Sequence, residues 1–232
     1  MDKISIICYG DSNTFGHDPV NGGKYPEDRI WPYILEKKLP EGSMVTNCGM
    51  NGRTTAFDRD GSGAQNGLKG FESALTYVSP SDLIIFMLGT NDCSKDLRLT
   101  AEDIAGGMEK LVTKAEEYCS SAWGYVPRMM IVCPPAMRED ISRSPFRFMI
   151  DQDSVKLSRE LAGEYERTAE NLGCMYLDAT DLEGISERDS MHLTEEGHRN
   201  LAKMVYEYLE EHYKKRPAKS RSVYANGGPS GT

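Results

Sequence analysis

A serine near the start of the chain and a histidine near its end are of the types and spacing that nucleophilic catalysis needs. Ser12 directly follows the turn after the apolar run Ile4–Tyr9, which is typical of a buried strand. His192 stands three residues after Asp189. A serine hydroxyl is a weak nucleophile at neutral pH, so it needs a base, and the base needs a partner that fixes its tautomer. Ser12, His192 and Asp189 therefore predict acyl transfer through a covalent intermediate, the chemistry of a serine hydrolase.

Two further loops that follow apolar runs offer hydrogen-bond donors. The first is Asn47–Arg53 and the second is Gly89–Asp92. Glycine lets a backbone N–H approach a substrate closely, and the Asn91 side chain carries two N–H donors. Because ligands of parallel sheets bind beyond the carboxyl ends of the strands, we expect these loops and Ser12 to share one crevice. Donors there would stabilise the oxyanion that forms on an attacked carbonyl.

The elements that must position these residues alternate along the chain. Five apolar runs predict strands: Ile4–Tyr9, Met44–Cys48, Leu83–Leu88, Met129–Cys133 and Cys174–Leu177. Apolar residues at three- and four-residue spacing predict helices between and after them: Asp103–Cys119, Ser154–Leu172 and Thr194–Tyr213. Thr100 and Thr194, each followed by acidic residues, are typical N-caps. This alternation predicts a parallel sheet covered by helices on both faces.

Composition narrows the class of protein. A chain of 232 residues can bury a core without disulfides, and its net charge of −9 argues against nucleic acid or an anionic membrane as a partner. The chain opens with no basic and apolar leader and contains no apolar stretch long enough to span a bilayer, so we expect a cytoplasmic protein. Its six cysteines lack the paired spacing of a zinc site, so we expect reduced thiols, no metal and no cofactor.

Three segments fall outside the alternation. Residues 1–213 are predicted to form one domain, and residues 214–232 to form a basic, flexible tail that is either a solvated terminus or an arm crossing to another subunit. Ala136–Asp151 is an apolar loop that could wall a pocket, form a subunit contact or pack on the core. A second loop, Asp58–Gly67, is rich in Gly and Asp and is predicted to be mobile. The first two segments make a homo-oligomer the expectation.

Four blocks in order resemble the SGNH (GDSL) hydrolase superfamily: Gly10–Asn13, Asn51–Gly52, Gly89–Asp92 and Asp189–His192. By this resemblance Ser12, Gly52, Asn91 and His192 are the residues for which the superfamily is named, and Asp189 completes the triad. The implied oxyanion hole consists of the N–H groups of Ser12 and Gly52 and the side chain of Asn91. The implied fold is a three-layer α/β/α sandwich with a flavodoxin-like, parallel five-stranded sheet.

Four further segments resemble a bacterial arylesterase/acyltransferase branch of that superfamily: Gly52–Thr55, Asn66–Leu68, Asp82–Asp92 and Leu99–Met108. Members of this branch hydrolyse small acyl esters, some transfer the acyl group to alcohols or peroxide, and they tend to form oligomers that narrow the mouth of the active site. The chain departs from the branch at His17, where the mycobacterial acyltransferase has a tryptophan that lines its pocket. This departure bears on acyl transfer more than on ester hydrolysis.

Six residues near these blocks are candidates for substrate contact: Asp11, Asn13, His17, Arg53, Phe146 and Met191. For three of them the residue type also suggests a role other than substrate contact. Asp11 would brace the turn, Arg53 would pair with a nearby carboxylate instead of steering an anionic or sugar-borne substrate, and His17 would be an ordinary loop residue. His198 and His212 are predicted to be solvated on the last helix.

The sequence thus predicts a serine esterase for small-molecule esters, with acetyl to butyryl chains implied by the branch and acyl transfer as an added activity. Two hypotheses compete with it. One is a carbohydrate O-acetylesterase or lysophospholipase of the same fold. The other is a flavodoxin-like binding module with a degenerate site, although Gly10–Gly16 matches neither phosphate-binding glycine motif.

Overall fold

The strands form a single parallel sheet. In the computed structural model, which describes residues 1–59 and 61–213, the strands are β1 (Ser5–Gly10), β2 (Met44–Gly49), β3 (Leu83–Met87), β4 (Arg128–Cys133) and β5 (Met175–Asp178). Their order across the sheet is β2-β1-β3-β4-β5. Gly10 at the end of β1 pairs with Gly49 of β2 and Met87 of β3, so three strands end at the same level. The loops that follow them are thereby brought to one edge, as predicted.

Both faces of the sheet are buried, which explains why the strand sequences are almost continuously apolar. Side chains alternate along β1: Ile7 and Tyr9 join one core cluster, and Ile6 and Cys8 join the other. The six helices are α1 (Ser12–Phe15), α2 (Trp31–Lys38), α3 (Gly67–Leu75), α4 (Ala101–Trp123), α5 (Gln152–Leu172) and α6 (Glu195–His212). Residues of α3, α4 and α5 pack in the first cluster, and residues of α2 and α6 pack in the second. The predicted three-layer α/β/α sandwich is confirmed.

The predicted helix starts are confirmed at their caps. The Thr100 hydroxyl accepts the N–H of Asp103 at 3.1 Å, and the Asp103 carboxylate accepts the Thr100 N–H at 2.9 Å. At α6 the Thr194 hydroxyl accepts the N–H of Gly197 at 3.2 Å. The helices that sequence analysis missed, α1, α2 and α3, have at most nine residues. So few residues give too little periodicity to detect.

Two expectations about the chain as a whole concern its thiols and any membrane span. All six cysteines are free, and all except Cys48 are buried. None of the helices in the described part of the chain is both long enough and apolar enough to cross a membrane. The predicted tail, 214–232, lies outside the described residues.

The prediction that His198 is solvated is wrong. His198 has no exposed surface, because it begins the apolar stripe that α6 continues with Leu201, Ala202 and Val205. Its Nδ1 accepts the N–H of Trp31, at the first turn of α2, at 3.4 Å. The ring also meets Tyr25 edge-on, with 5.6 Å between the centroids. Burial, with a smaller contribution from His192, lowers the pKa of His198 to about 3.

We expect His198 to reduce stability at acidic pH. An unfolded histidine has a pKa of about 6.5, so the unfolded chain takes up a proton there that the folded chain refuses until about pH 3. The free energy of unfolding should therefore decrease as the pH is lowered. This residue alone should contribute about 1.4 kcal/mol per pH unit below about 6.5.

The test is urea unfolding of the wild type and of His198→Asn, whose amide oxygen can take the place of Nδ1, between about pH 7 and pH 4. The stability difference between the two proteins should shift against the wild type as the pH falls. A difference that stays constant over this range would contradict the assignment. His212→Asn, at the partly exposed end of α6, is the matched control.

Candidate active site

The candidate nucleophile lies at the first position of a very short helix. Ser12 begins α1 directly after β1, and Asp11 caps this turn by accepting the N–H of Asn13 at 2.9 Å. Gly16 ends the helix in the left-handed conformation. Because the first N–H groups of a helix have no intrahelical acceptor, the Ser12 N–H is left available at the same point as its hydroxyl.

Ser12, His192 and Asp189 are hydrogen-bonded in series. The distance from Ser12 Oγ to His192 Nε2 is 2.9 Å, and that from His192 Nδ1 to Asp189 Oδ2 is 2.8 Å. Burial raises the pKa of Asp189, but its bonds to the His192 ring and to the N–H groups of His192 and Met191 outweigh this and lower it. Asp189 is therefore a carboxylate that fixes the Nδ1–H tautomer, which leaves Nε2 free to accept the serine proton.

The turn that carries Asp189 and His192 is held by neighbouring loops. Ser190, between them, adopts a left-handed backbone conformation with φ of 66°, which costs about 1–3 kcal/mol in a residue other than glycine. Its hydroxyl donates to Asp140 at 2.9 Å, and the Ser144 hydroxyl donates to the Asp189 carbonyl at 2.6 Å. Both partners belong to the loop 136–151. This loop therefore stabilises the turn on which the acid and the base are placed.

The predicted oxyanion donors border the same cavity as Ser12. Gly52 has φ of 76°, a left-handed backbone conformation that favours glycine. One N–H of the Asn91 amide donates to the Arg53 carbonyl at 3.1 Å, which leaves the other N–H for a ligand. The structure thus brings together all five residues predicted for the triad and the oxyanion hole.

The cavity that these groups border has a volume of about 410 Å³, within the usual range for small-molecule sites. Its lining consists of Ser12, His17, Asn51, Gly52, Arg59, Gln65, Asn91, Phe146, Met149, Met191 and His192. We call the apolar lining residues Phe146, Met149 and Met191 its apolar side and the remaining, mostly polar residues its polar side; the two meet where Arg59 Nη2 lies 3.6 Å from Met149 Sδ. The arrangement can therefore accept an ester with an apolar acyl group and a polar remainder.

Residues 8–199 match the model of the GDSL-like Lipase/Acylhydrolase family. The chain belongs to this family. The family membership agrees with the resemblance found in the four sequence blocks and shows that the protein is a carboxylic ester hydrolase. A search of curated protein sequences finds no match to the chain.

Solved structures of esterases share the fold along nearly their whole length. The carbohydrate acetylesterase Est24 from Sinorhizobium meliloti is 29% identical with a TM-score of 0.81, over 90% of this chain and 99% of that one. The M. smegmatis aryl esterase is 30% identical with a TM-score of 0.81, over the same shares of the two chains. A putative arylesterase from Agrobacterium tumefaciens is 30% identical with a TM-score of 0.78, again over 90% and 99%.

Three of the candidate substrate residues of this GDSL-like hydrolase, His17, Phe146 and Met191, line the cavity. His17 packs against His192, the candidate base, with 4.4 Å between the centroids of the two rings. Burial and, to a lesser degree, His192 lower the pKa of His17, so its ring is neutral at pH 7. Phe146 meets the His192 ring edge-on, with 5.7 Å between the centroids.

Arg53 does not take the place predicted for it, either at the substrate or in a salt bridge. It is buried, its Nη1 donates to the carbonyls of Gly10 (2.7 Å) and Cys48, and its guanidinium stacks on the ring of Tyr9. Arg53 therefore ties β1 to β2 beneath the oxyanion loop. The sequence could not show this, because the acceptors are backbone carbonyls that only the sheet brings within reach.

Asp11 and Asn13, also candidates for substrate contact, are buried and face the protein. Asp11 follows its alternative interpretation and braces the turn, and burial raises its pKa to about 6 despite its bond to Asn13. The Asn13 amide donates to the Met191 carbonyl at 3.2 Å and accepts the Leu193 N–H at 2.9 Å. Asn13 thus joins the nucleophile's helix to the backbone on both sides of His192.

Sequence analysis missed four lining residues: Asn51, Arg59, Gln65 and Met149. Arg59 and Gln65 belong to the loop predicted to be mobile, which is anchored where the Thr54 N–H donates to the Gln65 carbonyl at 2.9 Å. Met149 lies in the loop 136–151, which both walls the pocket and packs on the core through Ile141 and Ile150. Asn51 belongs to the block Asn51–Gly52 and Met149 to the loop 136–151 that could wall a pocket, so both had a signal in the sequence; Arg59 and Gln65 had only their nearness to Gly52.

One cluster in the described part of the chain could also hold a metal ion. Ligand atoms of His17, Asp189 and His192 lie within 4.8 Å of one another. Both ring nitrogens of His192 already take part in the hydrogen bonds to Ser12 and Asp189. A metal ion bound through His192 would therefore break one of those bonds and compete with the triad.

We expect Asn13→Ala to lower kcat by about 10- to 100-fold, because the loss of both bonds lets His192 shift relative to Ser12. Asn47→Ala is the matched control. Asn47 also donates to one carbonyl and accepts one N–H, but its partners are Thr14 and Gly49. Esterase kinetics and thermal unfolding of both variants would separate positioning from stability. An Asn13→Ala enzyme with the kcat of the Asn47→Ala enzyme would contradict this role.

Proposed function

We propose that the protein is a serine esterase that hydrolyses short-chain acyl esters through an acyl-enzyme. The observation that carries the proposal is the hydrogen-bonded series from Ser12 Oγ through His192 to Asp189, at 2.9 and 2.8 Å. A structural serine would have no need of a buried imidazole and carboxylate aligned behind it. Residues 1–213, which contain all of these groups, are proposed to act as one catalytic domain.

In the acylation step, Ser12 Oγ attacks the ester carbonyl while His192 Nε2 accepts its proton. The tetrahedral oxyanion is held by the N–H groups of Ser12 and Gly52 and by Asn91 Nδ2. Asp189, whose lowered pKa keeps it ionised, stabilises the imidazolium. His192 then gives the proton to the departing alcohol, and the acyl group remains on Ser12.

In the deacylation step, a water molecule takes the place of the alcohol. His192 accepts a proton from the water as its oxygen attacks the acyl carbonyl, and the same three donors hold the second oxyanion. Collapse of this intermediate releases the acid, and His192 returns the proton to Ser12. Every proton is therefore carried by one imidazole, in agreement with its bonds on both ring nitrogens.

The size of the cavity supports short acyl groups. About 410 Å³ must hold the acyl group and part of the alcohol, and only Phe146, Met149 and Met191 offer apolar surface. Phe146 also contacts His192, so its ring closes the apolar side close to the reacting atoms. A long alkyl chain would have to leave this side or displace the ring.

We expect the enzyme to hydrolyse p-nitrophenyl acetate and butyrate and to lose kcat/KM towards the octanoate. Ser12→Ala should lower kcat by at least about 10³-fold, as loss of the nucleophile does in serine hydrolases. Spectrophotometric release of p-nitrophenol measures both effects. Ser81→Ala, which removes a buried serine at the opposite edge of the sheet, is the matched control. Equal activity in the Ser12→Ala enzyme would refute the mechanism.

A carbohydrate O-acetylesterase is the second candidate function. It is favoured by the likeness to Est24, a carbohydrate acetylesterase, and by the polar side of the cavity, where Asn51, Gln65 and Arg59 offer hydrogen-bond donors. Acetate release from acetylated sugars, measured beside the aryl esters, separates the two. The third hypothesis, a lysophospholipase, has no comparable support in the short apolar side of the cavity.

Acyl transfer to alcohols is proposed as a minor activity that His17 limits. A neutral imidazole beside His192 keeps a polar group, able to hydrogen-bond to water, at the site where the second nucleophile must enter. We expect His17→Trp to raise the ratio of transfer to hydrolysis several-fold, because a large apolar ring excludes water. The products of p-nitrophenyl butyrate in buffer with added alcohol give this ratio by chromatography. His17→Gln keeps a polar side chain and should not raise it; an equal rise in both variants would contradict the explanation.

Self-association is likewise a proposal. It is supported by two exposed apolar side chains next to lining residues: Phe148, 65% exposed, beside Met149, and Met50, 36% exposed, beside Asn51. A second subunit on these loops would narrow the entrance to the cavity.

A further inference from the structure

One positively charged side chain in the lining of the cavity, that of Arg59, has no part in the proposed mechanism. Among the eleven described residues that line the cavity, Arg59 is the only one with a permanent positive charge, and none carries a carboxylate. His17 is neutral at pH 7 because burial lowers its pKa. The cavity in which the ester must lie is therefore positively charged on one side before any substrate binds.

Arg59 is not neutralised by a carboxylate of the described residues. Its Nη1 lies 3.4 Å from Asn91 Oδ1 and its Nη2 lies 3.6 Å from Met149 Sδ, and both acceptors are uncharged. The adjacent Asp58 pairs instead with Lys69, at 2.6 Å, and with Asn66. A guanidinium has five N–H donors, so Arg59 keeps donors for a ligand.

The contrast with Arg53 shows what Arg59 lacks. Arg53 is buried, and carbonyl oxygens and the Tyr9 ring take up its guanidinium. Arg59 is half-buried, and its two contacts are a long hydrogen bond to Asn91 and one to the sulfur of Met149, a weak acceptor. A charge that is partly removed from water, with no carboxylate partner among residues 1–59 and 61–213, gains from an anionic ligand, and the planar guanidinium matches a carboxylate in two parallel hydrogen bonds.

The position of Arg59 indicates which part of the substrate it meets. Asn51, Gln65 and Arg59 lie in the loop after β2, and Arg59 stands where the polar side of the cavity meets the apolar side, with Asn91 and Met149 as its contacts. The acyl group is assigned to the apolar side, which leaves the polar side chains of this loop to the alcohol part. The alcohol part of the ester is therefore the part beside Arg59.

We propose that Arg59 binds a carboxylate on the alcohol part of the substrate, so that the preferred substrates are short-chain acyl esters of hydroxy acids. This proposal rests on the esterase function proposed above and assigns the class of alcohol on which that esterase acts. Arg59 is a specificity residue; it neither donates nor accepts a proton in the reaction.

The test compares p-acetoxybenzoate with p-acetoxybenzamide, which has nearly the same shape and no charge, in the wild type and in Arg59→Gln. The readout is the ratio of the two kcat/KM values, because Arg59 also contacts Asn91 and its loss can lower both rates. In the wild type the ratio should favour the carboxylate and decline with added salt. In Arg59→Gln it should fall by about tenfold, the effect of one lost charged hydrogen-bond pair, and Arg59→Lys should keep part of it.

Arg143→Gln is the matched control, because it removes an equal charge from an exposed site outside the cavity and should leave the ratio at its wild-type value. If both acetates are hydrolysed and Arg59→Gln leaves the ratio unchanged, the proposal is overturned and the esterase function stands. If the ratio changes only for a matched aryl succinate and aryl butyrate pair, Arg59 reads the acyl part and the assignment to the alcohol part is wrong. If neither acetate is cleaved faster by the wild type than by Ser12→Ala, it is the esterase function that fails.

Discussion

The hydrogen bond between Ser12 Oγ and His192 Nε2 is the interaction on which the site depends, and it joins residues 180 positions apart. The bond itself does not set the distance between the two residues; the elements that carry them do. Parallel strands place their carboxyl ends at one edge of the sheet, which puts the turn after β1 opposite the turn before α6. Asn13 then fixes the remaining distance through its two bonds to the backbone around His192.

The oxyanion side of the site is held by the same principle, with polar groups buried between loops. The Asp92 carboxylate accepts the Thr55 N–H at 3.0 Å, and Asn91 donates to the Arg53 carbonyl, so the loops after β2 and β3 are joined twice. Burial outweighs the Thr55 bonds and raises the pKa of Asp92 to about 7. Such groups lower stability, and they are tolerated because they hold donors in place before the substrate arrives.

The sequence predicted the parts of the molecule that local chemistry determines. Apolar runs placed each strand within one residue, and Thr100 and Thr194 marked helix starts. Residue types singled out Ser12, Asp189 and His192, which lie within hydrogen-bond distance of one another in series. It failed where a side chain's surroundings come from distant segments. His198 is an ordinary polar residue until α2 packs on α6, and Arg53 acquires its acceptors only when β1 and β2 pair. Arg59 lies in a loop without hydrophobic periodicity, so no sequence pattern indicates where its side chain lies. The loop is positioned by contacts at its two ends.

The loop that carries Arg59, between Thr54 and Asn66, is held separately from the residues of the triad. Its ends are bound at Thr54 and Asn66, one beside the oxyanion donors and the other at the cap of α3, so the residues between them can change without moving either. The triad lies on other elements: Ser12 follows the end of β1, and Asp189 and His192 lie on the turn before α6. With the role proposed above for Arg59, a substitution there would alter which ester is bound while Ser12, His192 and Asp189 keep their distances. Two solved structures that share this fold at about 30% identity are named for different esters, a carbohydrate acetylesterase and an aryl esterase, which agrees with a fold whose substrate is set by loops and not by the sheet.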